Sequence, residues 1–256
     1  MNTKGDYIAV FDSGVGGISV LRELVRLMPR ERYLYFGDSA NAPYGSRSTE
    51  DVRELTLRAA EKLMKQGLKA LVIACNTATA AAIRQLREKY PELIVVGIEP
   101  ALKVAADRYP GSRVGIMATP VTLREEKLSQ QLARFPDMQV SLIPAPGLVE
   151  LVEEGASSEA LRNLLQPILA PFAGKLDAVV LGCTHYPFAA TVIGELLPGT
   201  VLLDGGAGTA GQTKRRLENA GLLQEGPGEI RIENSLEDPA ILLRSKALLR
   251  INADAV

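Results

Sequence analysis

The 256-residue chain is predicted to fold as an α/β protein of two similar halves, each built on a parallel sheet. Short apolar runs alternate with longer segments of helical period, the order that joins parallel strands through crossover helices. Two of those runs return at nearly the same distance further along the chain: Ile8-Ala-Val-Phe-Asp-Ser-Gly14 against Val114-Gly-Ile-Met-Ala-Thr-Pro120, and Leu71-Val-Ile-Ala-Cys-Asn-Thr77 against Val179-Val-Leu-Gly-Cys-Thr-His185. The second pair holds the only two cysteines, Cys75 and Cys183. Buried strands resemble one another by composition alone; matched cysteines do not follow from burial.

The strands are expected at Ile8–Phe11, Tyr33–Phe36, Ala70–Cys75, Ile94–Gly97, Arg113–Met117, Val140–Ile143, Ala178–Gly182 and Val201–Leu203, each a short apolar run bounded by turn residues. Between them, helices are expected at Ile18–Leu27, Glu50–Gln66, Ala78–Lys89, Leu123–Ala133, Leu161–Leu169 and Thr209–Asn219. In the second of these Val52, Leu55, Ala59, Leu63 and Met64 recur at close to 3.6 residues, which buries one face. Ser48 followed three residues later by Asp51 has the form of a capping box and marks its start.

Composition narrows the functional classes. Apolar residues make up 46% and charged residues 23%, as in ordinary globular proteins. Lys+Arg at 29 nearly balances Asp+Glu at 30, so the chain lacks the basic footprint of a nucleic-acid binder. No uncharged apolar run approaches the roughly 18 residues of a membrane span, and Met1 to Asp6 has no signal-peptide pattern. These features predict a cytoplasmic protein with neither a membrane nor a nucleic-acid partner. One histidine and two distant cysteines make neither a disulfide framework nor a paired metal set, so no metal is expected.

Each cysteine ends an apolar run just before a turn into a helix, the edge of an open α/β sheet where ligands bind. A helix N-terminus there favours thiolate over thiol. Taken singly, a cysteine is more often a small core residue than a catalyst. As a matched pair, the two suit removal of a proton from one face of a carbon and its return to the other. His185, the sole histidine, lies beside Cys183 and is a candidate acid/base or thiolate partner. Asp12 ends the first strand, and Ser13-Gly-Val-Gly-Gly17 opens the next helix. That turn can be read as a phosphate cradle, but Ser19 stands where G-x-G-x-x-G needs its third glycine, and no Gly-Lys-Ser/Thr follows. A carboxylate can use the same helix start. Gly37-Asp-Ser-Ala-Asn-Ala-Pro-Tyr-Gly45 is a turn-rich loop at the same sheet edge, where loops commonly close over ligands.

These segments, with Ala74-Cys-Asn-Thr-Ala-Thr-Ala80, Ile98-Glu-Pro100 and Leu181-Gly-Cys-Thr-His-Tyr-Pro187, resemble the glutamate racemases within the aspartate/glutamate racemase family, in order and spacing, over most of the chain to about Ala210. The resemblance implies two pseudo-symmetric three-layer α/β domains, residues 1–98 with 208–256 and residues 99–207, with the active site in the cleft between them. It implies cofactor-independent racemisation of glutamate by two-base 1,1-proton transfer, supplying D-glutamate for peptidoglycan, and a homodimer. Cys75 would serve one face of the substrate, assisted by Asp12, and Cys183 the other, assisted by Glu153 and His185. Asp12, Ser13, Pro43, Tyr44, Gly45, Asn76, Thr77, Thr119, Thr122, Thr184 and His185 would hold the substrate. The chain departs from the family pattern at Ala145, where Cys is expected, at Glu150, where Pro is expected, and at Gly205, where Ser is expected. Two other readings share these residues: a racemase for aspartate or another amino acid, and an amino-acid-binding protein without turnover.

Overall fold

The computed structural model describes residues 5–98, 101–108, 111–124 and 126–250. Glu99 and Pro100 of the Ile98-Glu-Pro100 motif lie outside them, as do Met1 to Lys4. Nine strands occur among the described residues: β1 Tyr7–Asp12, β2 Arg32–Gly37, β3 Leu68–Ile73, β4 Ile94–Gly97, β5 Arg113–Ala118, β6 Gln139–Pro144, β7 Ala178–Leu181, β8 Val201–Leu203 and β9 Glu229–Asn234. The helices are α1 Ile18–Leu27, α2 Thr49–Met64, α3 Asn76–Lys89, α4 Leu102–Arg108, α5 Pro120–Arg124, α6 Glu126–Leu132, α7 Leu148–Glu154, α8 Ser158–Leu169, α9 Ala190–Leu196, α10 Gly206–Asn219 and α11 Pro239–Arg250.

The described parts of Met1–Glu99 and Gly206–Val256 form one compact unit, and those of Pro100–Gly205 a second. Each has its own sheet, ordered β4-β3-β1-β2-β9 in the first and β6-β5-β7-β8 in the second, and every strand pair is parallel. Taken from its other edge, the second sheet runs β8-β7-β5-β6, the same order as β4-β3-β1-β2. The two repeats read in the sequence therefore fall on equivalent strands, β1 with β5 and β3 with β7. The first unit differs by β9, added outside β2.

All six residues of β1 and of β3 are buried, as expected for central parallel strands covered on both faces. In the first unit Phe11, Leu34, Leu71 and Ile73 pack with Val52, Leu63, Ala78 and Leu86 of α2 and α3. In the second, Met117, Ile143 and Val179 pack against Leu148, Leu165 and Ile193 on one side. Val114, Ile116 and Val180 pack against Leu102, Ala105 and Leu128 in a separate cluster.

The helix at Ile18–Leu27 has the bounds read from sequence, with Ile18, Val20, Leu21 and Leu24 buried. Ser48 caps α2 by accepting the Asp51 N–H, and its hydroxyl donates to Asp51 Oδ2 at 2.7 Å. Three expectations change. The strand expected through Cys75 ends at Ile73, because Cys75 leaves the ladder to cap α3. The helix expected at Leu123–Ala133 begins at Pro120 and is described as α5 and α6 on either side of residue 125, which lies outside the described residues. Finally, β9, α4, α7, α9 and α11 are additions to the elements expected from sequence. The seven-residue α7 is set between Gly147 and Gly155, both at positive φ (84° and 71°), where a side chain is strained. The Gly155 N–H bonds back to the Leu151 and Val152 carbonyls and stops the helix.

Candidate active site

In each unit the third strand lies beside the first, and the connections from these two neighbours run to opposite edges of the sheet. Such a switch point leaves a crevice at the carboxyl ends of the two strands. In the first unit β1 ends there at Asp12, and Cys75 follows two residues after β3; in the second, Thr119 directly follows β5 and Cys183 lies two residues after β7.

Asp12 is fully buried, and its Oδ2 accepts the Gly14 N–H at 3.1 Å. The Tyr35 hydroxyl, also buried, donates to the Gly14 carbonyl at 2.6 Å and fixes the same turn from the neighbouring strand. A Cβ on Gly17 would stand 2.5 Å from Asp12 Cβ and 3.1 Å from Ala74 Cβ. Gly17 is thus needed for α1 to pack over the end of β1. Gly17→Ala, at a φ that alanine tolerates, is expected to displace Asp12 and lower kcat/KM about tenfold to a hundredfold. Steady-state kinetics with unchanged far-ultraviolet circular dichroism would establish this.

Cys75 is the N-cap of α3. Its Sγ accepts the Ala78 N–H at 3.4 Å, while its thiol donates to Ser13 Oγ at 3.6 Å. A sulfur in this position takes up one of the helix's orphan amides and lies in the positive end of its dipole, which favours the anion. Asn76 and Thr77 open α3 beside it, and Asn76 Oδ1 is buried without a hydrogen-bond partner. An orphaned carbonyl oxygen at a switch point suits an incoming N–H donor such as an ammonium group.

The loop after β2 makes two 3₁₀ turns, Ser39–Asn41 and Tyr44–Ser46, joined through the cis Ala42–Pro43 peptide. Pro43 is exposed and Gly45 half-buried. The Tyr44 ring is buried against Phe11, with centroids 6.2 Å apart. Burial, the hydrogen bond to Asp38 and the negative charges of Asp38, Cys75 and Asp12 all push the Tyr44 phenol far above its ordinary range, so it stays protonated.

The second unit builds a different device around its thiol. Here the chain does not enter an α-helix directly after the cysteine: a 3₁₀ turn, Tyr186–Ala189, precedes α9. The helix-terminus reading thus applies to Cys75 and not to Cys183. An imidazole takes its place. His185 Nδ1 is 3.6 Å from Cys183 Sγ, and its Nε2 is 2.7 Å from Glu153 Oε1. Of the three acids on α7, Glu153 makes this contact, while Glu150 and Glu154 are exposed. Burial opposes the imidazolium, but the hydrogen bonds and charges of Cys183 and Glu153 outweigh it and hold His185 well above its ordinary 6.5.

That raised value makes stability depend on pH. The contribution of the His185 imidazolium is fully present below about pH 6.5 and is lost as pH rises through the higher native value. The urea-unfolding midpoints of wild type and His185→Asn are therefore expected to converge as pH is raised. A gap that stays constant to alkaline pH would contradict this.

Thr184 is buried beside Cys183. Thr119 and Thr122 sit at the end of β5 and in the first turn of α5, their hydroxyls 3.0 Å apart, with Thr122 N–H donating to Thr119 Oγ1. The candidate residues thus form two sets, each local to its own unit: Asp12, Ser13, Pro43, Tyr44, Gly45, Cys75, Asn76 and Thr77 in the first, and Thr119, Thr122, Glu153, Cys183, Thr184 and His185 in the second. Among the described residues no group of His, Cys, Asp and Glu is placed to hold a metal ion, and no helix is long and apolar enough to cross a membrane. Three supporting residues do not stand out in the sequence. They are Tyr35, Asp38 and the fully buried Tyr186, whose hydroxyl donates to the Ala145 carbonyl at 3.2 Å.

Comparison with known proteins matches residues 8–213 to the family described as Asp/Glu/Hydantoin racemase. The glutamate racemase of Clostridium acetobutylicum is 46% identical over 254 residues, covering 97% of this chain and 99% of that protein. The crystal structure of Thermus thermophilus glutamate racemase in complex with β-chloro-D-alanine is 38% identical, with a TM-score of 0.80 over 97% of this chain and 94% of that one. That of Escherichia coli glutamate racemase, in complex with L-glutamate and the activator UDP-MurNAc-ala, is 32% identical, with a TM-score of 0.82 over 96% and 92%.

Proposed function

From the premise that this chain belongs to the Asp/Glu/Hydantoin racemase family and is an isomerase, we propose that it interconverts L- and D-glutamate without a cofactor, by proton transfer between Cys75 and Cys183. One observation supports the mechanism: each sheet presents a single thiol at its switch point, Cys75 capping α3 and Cys183 beside the hydrogen-bonded His185–Glu153 pair. One thiolate removes the α-proton, becoming a thiol and leaving the electron pair on the α-carbon and its carboxylate. The opposite thiol then donates its proton to the other face and becomes the thiolate. In the reverse direction the roles exchange.

Removing so weakly acidic a proton without an electron sink requires fixed donors for the developing charge in a dry site. Ser13, Thr77, Thr184 and the backbone of Tyr44 and Gly45 are assigned that task, and the unpartnered Asn76 Oδ1 suits the substrate ammonium. Thr119 and Thr122 are assigned to the substrate on the Cys183 side, and Asp12 to the Cys75 side. The product would be D-glutamate for peptidoglycan. The proposed setting is the cytoplasm, where both thiols stay reduced, and the proposed assembly is a homodimer, checked by sedimentation.

The test is optical rotation or circular dichroism of each glutamate enantiomer with metal-free, pyridoxal-free enzyme, run in parallel in D₂O. Both enantiomers should reach the same racemic endpoint, with α-deuterium in the product. Absence of turnover, turnover of L-aspartate alone, or inversion without α-deuterium would each refute the assignment.

A further inference from the structure

We infer that Asp38 is a positioning residue for substrate binding, whose buried carboxylate sets the shape of the arm Pro43–Gly45. This rests on the proposed role of that arm in holding the substrate. Asp38 is 4% exposed, at the carboxyl end of β2. Its Oδ2 accepts the Tyr44 hydroxyl at 2.6 Å, and its two oxygens share the Asn41 side-chain amide at 3.0 and 3.1 Å. Its backbone N–H donates to the Asp12 carbonyl at 2.9 Å, so the same residue ties the arm to the end of β1.

Burying a carboxylate is costly unless each oxygen finds a donor. Here the donors are uncharged side chains that lie at the two 3₁₀ turns of the loop, one on each side of Pro43. A single carboxylate thereby fixes both ends of the bend. It also commits the Tyr44 proton, so the phenol has none to offer a ligand, and only the backbone N–H groups of Tyr44 and Gly45 remain as donors of the arm. Outside this centre the loop has more exposed ties: Arg47 Nε to the Asn41 carbonyl at 2.7 Å, Asn234 Nδ2 to Ser39 Oγ at 2.8 Å and Ala40 N–H to Ser235 Oγ at 2.9 Å.

The geometry allows an exchange of donor and acceptor. Asn41→Asp sets two carboxylates together, whereas the amide of Asp38→Asn can be met by a flip of the Asn41 amide. With both substitutions combined, the amide introduced at position 38 can accept from Tyr44 and donate to the carboxylate introduced at position 41, which restores one bond to each partner. Asn41→Asp is expected to raise KM for both glutamate enantiomers about tenfold, the range of a mismatched buried hydrogen bond. kcat should stay within about threefold, because the lost interaction is uniform binding. The double variant should return KM to within about threefold of wild type. Should Asn41→Asp not fold, Asp38→Ala removes the acceptor from both Tyr44 and Asn41 and gives the same reading.

A companion measurement separates this inference from the one beneath it. In wild type, D-glutamate should slow hydrogen exchange at the Tyr44–Ser46 amides. If it does not, the arm is not part of the substrate site and both readings fall. If the arm is protected but Asn41→Asp keeps a wild-type KM, or the folded double variant shows no recovery, the role of Asp38 alone is overturned.

Discussion

Cys75→Ser and Cys183→Ser are each expected to lower kcat for racemisation by about 10²–10⁴-fold, the span assigned to a positioned proton-transfer group. A serine hydroxyl fills nearly the same volume but is a far weaker acid, so it cannot supply the anion that takes the α-proton. Fold and substrate affinity should change little. The two-base scheme adds a finer expectation. The thiol that survives can still remove and return a proton on its own face, so each variant should exchange α-hydrogen for deuterium in one enantiomer only, and the two variants should choose opposite enantiomers. Proton NMR in D₂O with each enantiomer reads this directly. Full racemisation by either variant ends the proposal.

A second large effect is expected away from Cys75, at the other end of the first sheet. Lys69 and Glu31 are almost wholly buried and ion-paired through Nζ and Oε2. Lys69 also donates to the Leu222 carbonyl at 2.8 Å, and Glu31 Oε1 accepts the Gln224 N–H at 2.9 Å. The pair thus holds the connection between α10 and β9 against the start of β2 and β3. Glu31→Ala leaves a buried ammonium without its counter-charge, which costs about 3–5 kcal/mol. The corresponding fall in the thermal midpoint is about 10 °C. Replacing both partners by apolar residues of similar volume, Glu31→Leu with Lys69→Met, should recover most of that loss, since the pair's desolvation then disappears with its attraction. A double variant no better than Glu31→Ala would show that the Leu222 and Gln224 contacts, rather than the charge, are the stabilising element.

Some of this was legible in the residues alone. Most of the eight strands read from sequence are apolar runs buried along most of their length, where burial dominates the choice of residue. The edge strands β6 and β8 are half-open yet still apolar enough to register. β9 escaped because Glu-Ile-Arg-Ile-Glu-Asn is an edge strand with charges on its open side. Its signal is the two-residue alternation of Ile230 and Ile232 rather than a continuous run. Pro239 at the first position of α11 was a readable helix start. The short α7 and α9 gave too few turns for periodicity to register.

At the site, the thiols and His185 stood out because their residue types are scarce in this chain. The resemblance singles out Glu153, which the residues alone do not tell from Glu150 and Glu154, and the helix brings Glu153 to His185. In sequence Asp38 is one turn residue among several in its loop, because its role depends on a tyrosine six residues on folding back toward it. Such a contact is set by two tight turns, and spacing alone does not announce it.

The order in which the chain visits its two sheets has a consequence for synthesis. By Gly205 the inserted unit has all of its strands and helices, while the flanking one still lacks α10, β9 and α11. On the ribosome, therefore, the middle of the polypeptide can close its core before the beginning can. Until residue 234 has emerged, β2 presents a bare backbone rim to every other nascent chain nearby. A stall or truncation ahead of Glu229 should accordingly yield material that clumps through that rim rather than a smaller working enzyme.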